Sequence, residues 1–428
     1  MSGTVAMLLA GGGGTRLGVL VERRSKPAVP FGGRYRIIDM VLSNLMHAAI
    51  DWVGVATQYQ PLSLMSHIGT GRAWNYQGRG RGLRILPPRT GLAASDWYRG
   101  TADAVWQSMD FLRPLRPERV LVVSGDHIYR MNYRLMEQFH LQVGAEVTLA
   151  VLEVAAGDCS RFGMVWIDEL GMVRHFEEKP DRADTRLASM GIYLFNWECL
   201  VDVLQRVVGS GGGTDFGRHV FPELLRRRRV AAYRFDGYWR DVGTVSAYYQ
   251  ANLDILDTAA SGLRLDDWQV CTNQQSPGCA DAPAAWLGPR AEIEQVRLAA
   301  GCRVEGRVSR SVLSTGVRVG RGAVVSDSVL LDGVVVQPGA RVTRAVVDKN
   351  AVIGRQAVIA GGRGGEAGEP YRRCRLDGLV LVGAGARLPA GVRLEKNVVV
   401  HADTPAEDFP AVVPAGSLVG AAAPTAGR

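Results

Sequence analysis

The chain has 428 residues, 47% of them hydrophobic and 21% charged, a length that suits two domains and a composition that excludes a disordered or fibrous protein. The six cysteines form no CxxC pair and stand with no histidine at ligand spacing, so neither a zinc site nor a disulfide framework is signalled, and a reducing compartment is the default. A formal charge of +8 raises a nucleic-acid partner, but the one basic run, Arg226-Arg227-Arg228-Arg229, precedes a valine-led strand and reads as a solvated helix end; small anionic substrates suit the same charge.

Val5 to Ala10 is a short apolar run that ends in glycines, too short for a signal-peptide core and suited to a buried strand entering a tight loop. Ile38 to Ala49 has apolar residues at helical spacing, and Trp52 to Thr57 follows as a strand, giving a β-α-β order. The order recurs with a helix over Thr101 to Leu112 and a strand over Val120 to Val123 that ends at Ser124-Gly125-Asp126. A third round runs through Met131 to Val143 and Val147 to Val154, so a mostly parallel, three-layer α/β sheet domain is expected. Further strands are expected at Met190 to Phe195 and Val230 to Phe235, with helices at Cys199 to Val208 and Val245 to Leu256.

Residues 1–257 therefore read as one domain, and 258–290, rich in proline, glycine and polar residues, as an extended connector. From about Ala291 helical periodicity gives way to a six-residue repeat: Val317, Ala323, Val329, Val335, Val347, Ile353 and Ile359 form one column, broken by Arg341. A parallel β-helix of three six-residue faces per coil fits residues 291–428, with Gly361 to Gly368 as a bulging loop and a loosely ordered tail from Thr404. No stretch reaches membrane-spanning length, and a cytoplasmic location without a membrane partner is expected.

The glycines Gly11, Gly12, Gly13 and Gly14 after the first strand can form a simple turn or cradle phosphate oxygens on backbone amides. A P-loop is excluded because Gly14-Thr15-Arg16 replaces Gly-Lys-Ser/Thr, and the dinucleotide fingerprint is excluded by Leu17. Arg16 can grip phosphoryl oxygens bidentately, and Lys26, restrained by Pro27, adds a point charge. Asp126 follows a buried strand, a position that suits either a turn residue or an open α/β active site.

In this setting the run Leu9 to Leu17, Lys26-Pro27, Phe31-Gly32-Gly33, Arg36-Ile37-Ile38-Asp39 and Leu42-Ser43-Asn44 resembles the glucose-1-phosphate adenylyltransferase family. The resemblance continues through Thr57-Gln58-Tyr59-Gln60, Trp97 to Ala104, Gly125 to Tyr129, Phe176 to Pro180, Ala188 to Gly191 and Tyr238 to Thr244. It implies a Rossmann-like nucleotidyltransferase domain followed by a left-handed β-helix, and adenylyl transfer from ATP to α-D-glucose 1-phosphate. It also implies that Asp126 and Asp241 hold Mg2+ while Arg16 and Lys26 neutralise the departing pyrophosphate.

By the same resemblance Leu9, Ala10, Gly11, Gly12, Gly13, Gly14, Thr15, Tyr98, Gly100 and Gly125 belong to the substrate site. Glu178 meets the sugar hydroxyls, Lys179 the sugar phosphate, and Ser189, Asp215, Phe216 and Trp239 complete the sugar pocket. His127 is expected to be structural, since a phosphate nucleophile requires no base. Family enzymes are commonly homotetramers controlled by phosphorylated metabolites, and Arg23 and Arg24 are candidates to meet such an effector.

Pro88-Arg89-Thr90-Gly91 departs from the family's Ala-Gln-Gln-Arg run; Arg89 has donors only, where a glutamine amide reads a base with both donor and acceptor, so the base stays open. Two competing readings remain: a pyrophosphorylase for another nucleotide or sugar, and a regulatory subunit without turnover. The combination of Arg16, Lys26, Asp126, Lys179 and Asp241 disfavours the second. An acyltransferase lacks its usual base, because 291–359 contains no histidine.

Overall fold

A computed structural model describes residues 3–89, 97–263, 265, 268–273, 282–369 and 371–421. In the N-terminal half the strands lie in the order Val230–Arg234, Val147–Glu153, Leu187–Asn196, Arg119–Ser124, Thr4–Leu9, Trp52–Ala56, Gly82–Leu86. These seven run parallel except Leu187–Asn196, which is antiparallel to Arg119–Ser124 and Val147–Glu153 and also to Gly163–Ile167, the latter paired antiparallel with Val173–Glu178 at the edge of the same sheet. Side-chain alternation explains the three layers. Val5 and Met7 enter an apolar cluster with the helices Thr101–Gln107 and Trp197–Leu204, while Ala6 and Leu8 enter another with Ile37–His47 and Tyr133–Gln142.

Three local expectations are corrected. The helix expected over Thr101 to Leu112 breaks at Ser108, whose hydroxyl donates to the Ala104 carbonyl at 2.7 Å and competes with the backbone ladder. The helix expected over Cys199 to Val208 is α-helical only over Trp197–Leu204 and widens into a π-turn at Gln205–Gly209. Within the stretch read as connector, Cys271 and Asn273 bond onto the first domain, as a segment wrapping onto that body would; what differs is that Trp286–Leu287 already pairs with Arg303–Val304, so strand pairing starts before residue 291. The arginine run is spent locally, with Arg227 on Glu223, Arg228 on Glu146 and Asp202, and Arg229 on the Val143 carbonyl.

The C-terminal strands are parallel throughout and stack as a β-helix. Its repeat is not three faces of six: Val308, Val325, Val342 and Ile359 pair in succession, and hydrogen bonds such as Ser328 N to Ser311 Oγ link residues 17 apart. One corner is shortened by a residue in the left-handed region, Arg310, Asp327 or Arg344 in successive coils. The six-residue column nevertheless stays buried at Val317, Ala323, Val329, Val347, Ile353 and Ile359 and turns outward only at Val335 and Arg341. Arg341 points outward beside Val324, and the buried columns include Val308–Val325–Val342–Ile359, Val319–Val336–Ile353 and Leu313–Leu330–Val347–Val382.

Val347 next pairs with Val382, so this coil carries a loop over 361–378 that includes the short helix Tyr371–Cys374. The tail is ordered further than expected. Val412–Val413 and Leu418–Val419 pair with Arg393–Leu394 and Val399–Val400 and continue the stack.

Candidate active site

The parallel strands end together: Leu9 lies beside Ala56 and Ser124, and Ala56 beside Leu86. Loops leaving these carboxyl ends build the site, the usual placement in open α/β sheets. The glycine turn crosses directly over Lys26. Gly14 has φ of 60°, and a Cβ there would sit 2.7 Å from the Lys26 Cβ, so glycine is needed for both conformation and space.

Lys26 is buried, and its Nζ lies 2.9 Å from Asp126 Oδ2 and 3.2 Å from Asp241 Oδ1. Asp126 comes from the turn after Arg119–Ser124 and accepts from the Ser124 hydroxyl. Asp241 ends the short strand Trp239–Asp241, which pairs with His127–Tyr129 and sets Asp241 opposite His127. That ribbon brings together two carboxylates remote in sequence.

Electrostatics in this cluster are mutual. Burial opposes charge on all three groups, yet the Lys26 ammonium, then His127, hold the Asp126 carboxyl well below the usual carboxylate range. The same two groups outweigh burial and the repulsion of Asp126 to lower Asp241, and the pair of aspartates outweighs burial to raise Lys26. His127 Nε2 is 3.5 Å from Asp126 Oδ1, and its Nδ1 is buried with no partner among the described residues. Arg161 approaches from the other side, 3.8 Å from Asp241 Oδ2.

A cavity of about 440 Å³ opens above this cluster. Among the residues expected from sequence, Leu9, Ala10, Gly11, Gly12, Gly14, Thr15, Arg16, Lys26, Tyr98, Gly100, Asp126 and Asp215 line it. Gly13 lies in the same turn without lining the cavity, and Gly125 donates its N–H to the Leu9 carbonyl at 2.9 Å. Asp215 accepts from the Thr101 hydroxyl at 3.0 Å and caps the turn Phe216–Val220 through the Arg218 N–H.

The remaining expected residues lie to one side. Trp239 packs edge-on against His127 and Phe162, with ring centroids at 5.0 and 5.5 Å, and its Nε1 finds no partner among the described residues. Lys179 donates its N–H to the Phe162 carbonyl, and its Nζ pairs with Glu178 at 2.8 Å. Ser189 is buried and accepts from the Gly191 N–H. Phe216 differs from expectation. Its ring is buried against Tyr193 and Phe195, which makes that side chain part of the core and leaves only its backbone toward Thr101.

Sequence reasoning passed over Gln58, Thr101, Ser124 and Gly243 as site residues, all of which line the cavity. Gln58 brackets the Tyr98 backbone, accepting its N–H at 2.7 Å and donating to its carbonyl at 3.4 Å. The signal was available: Gln58 follows a strand end as Asp126 does. Arg89 does not line the cavity; it pairs with Asp110, and its N–H donates to Gln107 Oε1. Thr90 and Gly91 lie outside the described residues. Arg23 and Arg24 are occupied by Asp403 and Asp348 of the β-helix.

The Nucleotidyl transferase family matches residues 5–258, and the GlmU-like, C-terminal hexapeptide family matches 287–382. A glucose-1-phosphate adenylyltransferase from Acetivibrio thermocellus is 38% identical over 95% of both chains. The chain belongs to the glucose-1-phosphate adenylyltransferase family. Namesakes from Thermotoga neapolitana, 46% identical over 76% of this chain and 77% of the relative, and from Desulfitobacterium hafniense, 39% identical over 94% and 98%, extend the similarity through both domains. A nucleotidyltransferase domain followed by a hexapeptide-repeat β-helix is the architecture of this family member. No helix among the described residues is long and apolar enough to cross a membrane.

Proposed function

We propose that the chain transfers the adenylyl group of ATP to α-D-glucose 1-phosphate, forming ADP-glucose and pyrophosphate and so supplying glycogen or a related α-glucan. The observation that carries this reading is the convergence of Lys26, Asp126 and Asp241 beneath a glycine turn that also bears Arg16.

Backbone amides of Gly11 to Gly14 receive the phosphates, and Arg16 and Lys26 meet the charge that grows on the departing pyrophosphate. Lys179 and Glu178 orient the sugar phosphate and the sugar hydroxyls, with Ser189, Asp215 and Trp239 around them. A phosphate monoester brings its own nucleophilic oxygen, so these residues orient the reactants in line and no side chain need remove a proton.

Asp126 and Asp241 already share one cation, Lys26 Nζ, and both are held ionised. Among the described residues no larger cage of His, Cys, Asp or Glu forms, and two carboxylates plus substrate oxygens are a donor set that suits Mg2+. Bound there, Mg2+ supplies Lewis-acid neutralisation of phosphoryl oxygens. The family resemblance further supports a cytoplasmic homotetramer with a phosphorylated-metabolite effector.

The test is a panel of nucleoside triphosphates against sugar 1-phosphates, read by pyrophosphate release with Mg2+ present. ATP with glucose 1-phosphate should be the preferred pair, and Arg16→Ala should lose turnover with its unfolding midpoint unchanged. Preference for UTP or dTTP would overturn the adenylyl assignment.

A further inference from the structure

Arg16 is exposed and makes no salt bridge among the described residues, so its own side chain does not hold it in place. Its position depends on the backbone of Thr15–Val21, a 3-10 segment interrupted at Gly18 with φ of 56°. That backbone is held from both domains, by first-domain residues such as Phe31, Val245 and Tyr248 and by the β-helix. Leu17, Val19, Leu20 and Val21 are buried in one apolar cluster with Val329, Val346, Leu381 and Val399 of the β-helix.

The loop over 361–378 reaches nearest. The Tyr371 ring lies against Gly18, where a Cβ would come within 3.0 Å of it, and Cys374 Sγ lies 3.9 Å from the Thr15 carbonyl, next to Arg16. Tyr371 is itself braced by His401, which pairs with Glu22 at 2.7 Å. Two residues beyond Glu22, Arg24 is buried on Asp348 at 2.6 Å, and Lys26 follows.

We propose that Tyr371, on the loop of the β-helix, is a positioning residue for Arg16, and that Asp348 plays the corresponding part for Lys26 through Arg24. The β-helix is then part of the catalytic apparatus, although none of its side chains lines the cavity. Gly18 gives the segment freedom to pivot, and the Tyr371 ring removes that freedom by filling the space over it. A misplacement of about 1 Å in a charge-stabilising group costs on the order of 10²-fold in rate, so a packing contact of this kind has catalytic weight.

The inference rests on Arg16 serving the leaving group, and the experiment separates the two ideas. With the nucleotide pair that the wild-type chain uses, steady-state kinetics are measured for Tyr371→Ala, Tyr371→Phe, Arg16→Ala and the double variant Tyr371→Ala/Arg16→Ala, each with its thermal midpoint. Tyr249→Phe serves as the control, because Tyr249 also joins the domains, through its hydroxyl to the Asp327 carbonyl at 2.8 Å, but away from Arg16.

Tyr371→Ala is expected to lower kcat on the order of 10-fold or more with the KM for glucose 1-phosphate within about twofold. Tyr371→Phe should restore kcat, Tyr249→Phe should match wild type, and the double variant should be no slower than Arg16→Ala alone, since Tyr371 acts through Arg16. Asp348→Asn should lower kcat with the same sparing of the sugar-phosphate KM. Additive losses in the double variant, or unchanged kcat in a folded Tyr371→Ala, would overturn the proposal. If Arg16→Ala itself turned over normally, the assignment of Arg16 would fail instead.

Discussion

Replacing Lys26 by methionine keeps the length of the side chain and removes the charge that Asp126 and Asp241 share. At an effective dielectric of about 20, each contact near 3 Å is worth about 5 kcal/mol of Coulomb attraction, most of which is cancelled by desolvation. Removing one partner of a buried charge network costs about 3–5 kcal/mol, because the remaining charges are left uncompensated. The Asp126 side chain keeps 32% of its exposure, which puts the expectation at the lower end, about 3 kcal/mol.

Urea unfolding of Lys26→Met beside wild type, in EDTA and again with Mg2+, measures this. The variant should lose about 3 kcal/mol in EDTA. It should recover part of the loss with Mg2+, which can take the place of the ammonium between the carboxylates. The second variant Lys26→Met/Asp241→Asn should also recover stability in EDTA, because one of the facing charges is gone. Equal stability of Lys26→Met and wild type in EDTA would refute the reasoning, since it would mean that the two carboxylates do not converge on Lys26 in the folded protein.

Gly100→Ala should destabilise by about 1–3 kcal/mol, measured by thermal unfolding, because the new Cβ would clash with the Thr214 carbonyl oxygen. That carbonyl accepts the Ala102 and Asp103 N–H groups, so the displacement should also move the neighbouring Asp215, which lines the cavity, and, with Asp215 in its proposed role, raise the KM for the sugar phosphate. His140 gives a pH dependence. It is buried between Thr148 and Asn196, and burial lowers its pKa below 6.5. The unfolded chain therefore takes up the proton first as pH falls, so this contribution to stability is complete above about pH 6.5 and declines on acidification toward the folded value. Urea midpoints of His140→Gln between about pH 7 and 5 should fall less steeply than those of wild type, and parallel slopes would count against it.

Much of the site was legible along the chain because its chemistry is carried by short motifs at strand ends. Leu9 to Arg16 and Gly125-Asp126 each announce a turn after a buried run, Lys26-Pro27 marks a restrained charge nearby, and the structure brings residues of all three to one cavity. Gln58 was as legible by the same rule. The direction of the Phe216 ring was not legible, because a motif position does not reveal which way a ring points; the aromatic cluster with Tyr193 and Phe195 draws it inward.

The sequence by itself determined the α/β alternation, the glycine turn, the change to a stacked repeat after about residue 291 and the identity of the charged groups, since these depend on local conformation and periodicity. Only the tertiary structure decided that Lys26 lies between Asp126 and Asp241, because a two-strand ribbon joins residues more than a hundred positions apart. Only the stacking of coils decided the 17-residue spacing, which a left-handed corner residue shortens from the six-residue count. The packing of Tyr371 and the burial of Asp348 against the segment bearing Arg16 and Lys26 were likewise settled between domains, where packing rather than periodicity decides which side chains meet.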